Sequence, residues 1–386
     1  MTTRSCWTVV LLVLAAAVVM SSAAWGRAAA GSPYVIGAIF SITGDASSLG
    51  VPERNTAQML EKQINAAGGI AGHPLKIVIE DDRGTEAEAL NAARRLVERD
   101  KVLAIVGPSR TGTSLAIKDY LNKQKVPLVS CAAAIQIVEP VAPYVFKTPQ
   151  SDRMAVAKIV SYLKAKKITR VASISDNTAF GKGGLAELHA RLPKAGITLV
   201  MAEEFGPKDP SMEGQLTKIR GANPQAIICW GTPPGPAIIA KNMKTLGINV
   251  PLICSHGVAN ATFLSVAGAA AEGVVLPAGR LIVYDQIPAS NRQAKVLRGY
   301  ATSYQKTFGK PADTFGGHAY DAVTLLAKVM ATTGPNRDKI RAAIEKTKGF
   351  VGTGGIFNFS PTDHNGLSED AFVMVQIKNG KWTLLK

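Results

Sequence analysis

Residues 103–138 read LAIVGPSRTGTSLAIKDYLNKQKVPLVSCAAAIQIV, and the alternation within them decides the fold. LAIVG is short, apolar and rich in β-branched residues, the pattern of a parallel strand buried on both faces. Pro108, Ser109, Arg110, Thr111 and Gly112 punctuate it, and a helical segment follows. VPLVS then repeats the strand pattern, and Cys131, Ala132, Ala133 and Ala134 make a second turn with almost no side-chain bulk. In an open parallel α/β sheet the ligand crevice lies beyond the carboxyl ends of the strands, where helix N–H groups favour an anion such as a carboxylate. Two helix N-termini facing one crevice are therefore expected here. The competing account is that Ser, Thr and Gly serve only as caps and turns.

The same alternation extends outward from this stretch. YVIGAIFSITG reads as a first strand, Ser47 to Gly50 as a polar turn, Pro52 to Ala67 as a helix, LKIVIEDD as a second strand and Glu86 to Arg99 as a helix. The pattern restarts after Phe146 to Asp152, with strands VASISD, ITLVMAEEF, AIICWG and PLICSHG separated by helices. EGVVLPAG comes next, then helices over 291–308, 318–332 and 338–347, and a closing hairpin that turns on Asn379 and Gly380. A hairpin so far from both parallel runs implies that the chain passes between two lobes more than once. Crossings are expected near 147–150, 276–279 and 351–356.

Residues 1–30 have one early charge, Arg4, an apolar run from Val9 to Met20, and small residues up to Ala30. That is a secretory leader, with cleavage expected after Ala30 or after Ala24, and it implies release to a periplasm or the medium. Cys6 precedes the apolar run, which argues against a lipid-modified cysteine at the mature end. The remaining 356 residues of the 386 exceed what one core usually holds, so two domains are expected. Losing Arg4 and Arg27 lowers the formal charge from +16 to +14, a surface suited to anionic partners. Its lysines are scattered and lack interleaved aromatics, which excludes a nucleic-acid site from this reading.

The sequence has no GxxxxGK[ST], HExxH, GxSxG or strand-linked GxGxxG, and its five histidines show no ligand spacing. Neither an enzyme, a metal site nor a cofactor is expected. Cys131, Cys229 and Cys254 remain after the leader. A bridge between Cys229 and Cys254 is conceivable, and buried free thiols are favoured. The turns of the second half carry Phe180 in a loop entering a helix, Thr232 after AIICWG, and His256 after PLICSHG. His256 is suited to donate to a carboxylate or phenol, most strongly when protonated. Its other reading is a loop histidine capping the helix that begins near Asn260. Leu49, after the first strand, is apolar where a polar loop residue is expected.

These turns, with IGAIFSITGDASSLG, INAAGGIAGHPLKIVIEDD, VGPSRTGTSLA, HGVAN, AEGVVLPAG and YDQIPA, resemble the periplasmic binding proteins of the branched-chain amino acid type. The resemblance covers the whole mature chain. It implies a type I periplasmic-binding-protein fold, α/β with two doubly wound lobes joined by three crossovers, an interlobe ligand, and delivery to an inner-membrane ABC permease. On that basis residues 1–30 are the signal peptide, 31–148 plus 279–352 the N-terminal lobe, and 149–278 plus 353–386 the C-terminal lobe. A monomer is expected.

Carried over residue by residue, the resemblance puts Thr111 where a hydroxyl and loop amides hold the ligand carboxylate, and Ala132 where a backbone group touches the ligand. Ala134 falls where amino-acid binders place a threonine beside the ammonium. Phe180 and Thr232 occupy common tyrosine positions, and Leu49 an aromatic one. His256 stands where a glutamate usually pairs with the ammonium, and a histidine supplies no negative charge. An isolated buried ammonium costs several kcal/mol, most of a micromolar affinity of about 8 kcal/mol. The expected ligand is therefore a small aromatic or branched aliphatic carboxylate without an amino group. Binding of a branched-chain or other hydrophobic amino acid, and a ligand-sensing subunit of a signalling system, are the alternatives.

Overall fold

A computed structural model describes residues 31–385, so the expected leader lies outside the described residues. Strands β1 (Tyr34–Phe40), β2 (Leu75–Asp81), β3 (Ile105–Val106), β4 (Leu128–Ser130) and β5 (Val145–Lys147) form one parallel sheet in the order β2-β1-β3-β4-β5. Helices α1 (Ser47–Ala66), α2 (Glu86–Arg94) and α3 (Thr111–Lys123) connect them. The three-residue β5 adds a fifth strand to the four expected in this lobe.

The second lobe repeats the plan. Its chain runs β6 (Arg170–Asp176), β7 (Thr198–Phe205), β8 (Ala226–Trp230), β9 (Leu252–Cys254) and β10 (Val275–Gly279), with α4 (Asp152–Ala165), α5 (Ala179–Arg191), α6 (Glu213–Gly221), α7 (Gly235–Thr245) and α8 (Ala261–Ala267) between. After α9 (Ala294–Phe308), α10 (Thr314–Thr333), α11 (Arg337–Lys346) and the small ribbon β11 (Phe350–Val351) and β12 (Ile356–Phe357), the chain ends in β13 (Phe372–Lys378) and β14 (Lys381–Leu384). The second sheet is ordered β14-β13-β10-β9-β8-β6-β7, with only the β10–β13 and β13–β14 pairs antiparallel. Asn379 and Gly380 both take positive φ at the hairpin tip, as a two-residue primed turn requires.

These strand orders fix where a ligand can sit. In the first sheet β1 is flanked by β2 and β3, so the direction of winding reverses between β1 and β3; in the second it reverses between β6 and β8. Connections leaving a reversal point open to opposite sides and leave a crevice at the carboxyl edge. Those edges carry residues 41–49 and 107–111 in the first lobe, and 177–180 and 231–235 in the second.

Hydrogen bonds tie the first crossing and α10 to the turn between β11 and β12. Asp321 of α10 accepts from Thr353 N at 2.6 Å and Gly354 N at 2.7 Å, and Gln150 donates to Gly354 O at 2.6 Å. The last crossing was expected at 351–356, with the second lobe resuming at 353. Phe357 and Phe359 pack instead in the first core with Phe146, Leu367 and Ala371, so the chain rejoins the second sheet only at β13. Residues after 279 were expected in the first lobe. Leu281, Val283 and Leu297 pack in the second core, while Tyr300 Oη reaches Thr56 Oγ1 of α1 at 2.7 Å. The segment from Arg280 to Phe308 thus belongs to both sides.

Candidate functional site

The loops at the two reversal points enclose one cavity of about 420 Å³, within the usual range for a small-molecule site. Leu49, Ser109, Arg110, Thr111, Gly112, Cys131, Ala132, Phe180, Thr232 and His256 all line it. Ala134 does not: it is fully buried in the first-lobe core, and its neighbour Ala133 takes the lining position. The lining thus runs through three consecutive residues, Cys131 to Ala133, and ends where the chain turns into the core at Ala134.

Gly107 sets the first corner. It has φ +88°, and a Cβ there would stand 2.0 Å from Ile39 O, so only glycine lets the chain leave β3 at this angle. Arg110 then occupies the N-cap of α3 without a side-chain acceptor for the first turn. The N–H groups of Thr111, Gly112 and Thr113 precede the first intrahelical donor, Ser114 N, which bonds to Arg110 O at 3.0 Å. They face outward as a partial positive charge. The Thr111 hydroxyl has no hydrogen-bond partner among the described residues and lies at the cavity wall. Ser109 differs from expectation. Its Oγ donates to Glu53 and accepts from Ser41 N at 3.0 Å, which commits it to holding the loop.

The second corner offers less than its small residues suggested. Cys131 N donates to Pro108 O at 3.2 Å and Ala132 N to Ser130 Oγ at 3.1 Å. Ala134 then leads into a three-residue 3₁₀ turn, Ile135–Ile137, not an α-helix. Of the two expected helix N-termini in this lobe, only that of α3 is present.

In the second lobe Phe180 lies in the first turn of α5 rather than in a loop, as Leu49 lies in the first turn of α1. Thr178 caps α5, and Asp176 Oδ1 accepts from Thr178 N, Thr178 Oγ1 and Gly181 N. That Oδ1 is thus used internally. Phe180 meets His256 edge to face at 5.5 Å, and Trp230 meets His256 at 5.9 Å. Gly257 permits this packing, since a Cβ there would be 2.8 Å from the Phe180 ring.

His256 is 7 % exposed and neither ring nitrogen has a partner in the protein. Burial, with Lys147 and His318 nearby, pushes its pKa down to about 3, so it is neutral rather than a cationic donor. It caps no helix; Asn260 caps α8 by accepting from Phe263 N at 3.1 Å.

Sequence reasoning missed several lining residues. Phe315 and His318 come from α10, far along the chain, and Glu86 from the start of α2. Glu86, Arg110 and Lys182 are the charged side chains of the lining, giving a net charge of +1. Glu86 sits beside the first corner, where a Cβ on Gly112 would be 2.8 Å from its Oε1. Across the mouth, Lys208 Nζ stands 3.3 Å from Asp45 Oδ2. Among the described residues no cluster of His, Cys, Asp or Glu is arranged for a metal ion.

Residues 33–381 match the sequence model of a family described as periplasmic binding protein. A Leu/Ile/Val-binding protein of Rhizobium johnstonii is 27% identical over 305 residues, 78% of this chain and 80% of that one. An extracellular ligand-binding receptor from Rhodopseudomonas palustris superposes with a TM-score of 0.86 at 27% identity, covering 91% of this chain and 99% of its own. A branched-chain amino acid transporter substrate-binding protein from Streptococcus pneumoniae, solved in complex with isoleucine, superposes at 0.81 with 26% identity, covering 92% and 99%.

Proposed function

Because the chain belongs to the periplasmic binding proteins, in the branch that serves branched-chain amino acid ABC transporters, and is a binding protein rather than an enzyme, we propose that it carries a small organic acid without an amino group. One observation carries this reading. The first turn of α3 and the Thr111 hydroxyl face a cavity whose second-lobe lining, from Asn177 to Gly257, contains no carboxylate. An acid group is held there by N–H donors and by the +1 lining, while its apolar body lies against Leu49, Phe180 and Phe315.

Ligand bound to the first lobe favours the closed form only through added contacts with the second, for which Phe180, Thr232 and His256 are the candidates. The partner is an inner-membrane permease that reads closure, and the protein acts as a monomer. It reaches the periplasm through the leader of residues 1–30, which N-terminal sequencing of the exported protein tests.

A second reading is supported by the binding proteins for leucine, isoleucine and valine among the relatives, and by Glu86 at the rim, a carboxylate that an ammonium can approach. Titration calorimetry separates the two. Tight binding of benzoate-like, branched or keto acids with no heat from leucine, isoleucine or valine supports the acid reading; the reverse establishes the amino acid and overturns it.

A further inference from the structure

The cavity has a second polar end, near the first crossing, that the acid group does not use. His318 is 3 % exposed, lines the cavity, and its Nδ1 has no partner in the protein. Its backbone is pinned by Thr148 Oγ1, which donates to His318 O at 3.0 Å. His256 approaches from the other lobe with both ring nitrogens unpaired. Lys147, which neighbours both rings, is spent: its Nζ donates to Ala133 O at 2.9 Å and Pro149 O at 2.7 Å.

Buried polar atoms are nearly always satisfied, so two unpaired imidazoles lining one cavity from its two lobes point to a polar group on whatever that cavity holds. A neutral imidazole offers one N–H and one bare nitrogen. A hydroxyl is likewise one donor and one acceptor, so a single hydroxyl can donate to one ring and accept from the other. An ammonium has three donors and no acceptor and leaves an imidazole N–H without a partner.

Resting on the acid reading above, we propose that His256 of the second lobe and His318 of the first together bind one hydroxyl at the far end of the ligand, so that the hydroxyl bridges the cleft. The ligand class is then a hydroxylated acid, and the bridge couples recognition to closure, because it forms only when both lobes are in place.

Calorimetry with matched acids tests this: benzoate against 3- and 4-hydroxybenzoate, and hexanoate against 6-hydroxyhexanoate, on the native protein and on His256→Phe and His318→Phe. At least one hydroxylated acid should bind roughly tenfold or more tightly than its parent, and either variant should erase that advantage, so that the ratio of the two affinities falls to about one whatever the substitution does to the parent's own binding. Leu in place of Phe, likewise without a donor or acceptor, gives a second pair of variants should a Phe variant fail to fold. Equal affinities in the native protein, or an advantage that survives in either variant, overturn the hydroxyl bridge alone. Failure of every acid to bind while leucine does overturns the acid reading with it.

Discussion

Ser109 Oγ donates to Glu53, a carboxyl fully buried in α1, and so ties the corner of the binding loop to the first helix. Burial pushes the Glu53 pKa well above its ordinary 4.5, more than the Ser109 hydrogen bond lowers it. Burial thus disfavours a charge on Glu53, and the Ser109 hydroxyl is the one side chain bonded to its carboxyl among the described residues. Neighbouring residues of one loop divide the work: Ser109 fixes its shape and Thr111 faces the cavity.

That division predicts opposite outcomes for two substitutions. Ser109→Ala leaves Glu53 and the Ser41 N–H without a partner and should lower stability by about 1–3 kcal/mol, with little direct effect on the ligand. Thr111→Ala removes a hydroxyl that bonds nothing in the protein and should lower acid affinity by about tenfold, or about 1.4 kcal/mol, at unchanged Tm. Melting curves and calorimetry on both variants check this. An unchanged dissociation constant in Thr111→Ala removes Thr111 from the site.

Asp321 joins α10 to the turn between β11 and β12, and burial raises its pKa to about 7 despite the Thr353 and Gly354 N–H bonds that lower it. A carboxyl with a raised folded pKa adds stability that is fully present below its ordinary 3.8 and is lost as pH rises through about 7. Asp321→Asn removes this term. Urea unfolding at about pH 4.5 and pH 7.5 should show the native protein's margin over the variant shrinking by roughly 2–4 kcal/mol. A margin that stays constant shows that the carboxyl ionises normally in the folded protein.

How much of this was legible beforehand depends on the range of the interaction concerned. Strands such as LAIVG and AIICW announce themselves because a buried parallel strand is continuously apolar, and the corner at Ser109 to Gly112 stands out by its turn residues. Nothing local marks Ser109 as engaged, since its partner Glu53 lies 56 residues away. His318 and Phe315 were hidden for a related reason: one face of a buried helix lines the cavity, and helical spacing does not distinguish it from the face on the core. Ala134 was displaced in favour of Ala133 because no periodicity resolves one residue in an extended turn of three alanines.

The histidines predict an acid response of opposite sign to that of Asp321. Burial and the nearby Lys147 push both His256 and His318 from 6.5 to about 3, and the His318 ring further disfavours a charge on His256. A lowered folded pKa gives stability that is present above 6.5 and is lost as pH falls toward about 3. His256→Phe cannot take up a proton in the unfolded chain. Its loss of stability between about pH 7.5 and pH 4.5 should be smaller than the native protein's by roughly 1–3 kcal/mol. Identical losses imply that the ring is solvated well enough to titrate normally.

Cys229 and Cys254 are register partners on the adjacent parallel strands β8 and β9, and with Cys131 all three are buried free thiols. Neither of the pair is accessible to solvent, and burial, reinforced by the neighbouring Cys254, raises the Cys229 pKa well above its ordinary 9.0. The thiolate is the reactive form, so both its scarcity and its inaccessibility slow attack. A bulky aromatic disulfide should find no rapidly reacting thiol in the native protein and three in urea once the leader has been removed. One thiol in urea, rising to three after reduction, reveals a Cys229–Cys254 bridge formed on export; four without reduction shows that Cys6, and hence the leader, is still attached.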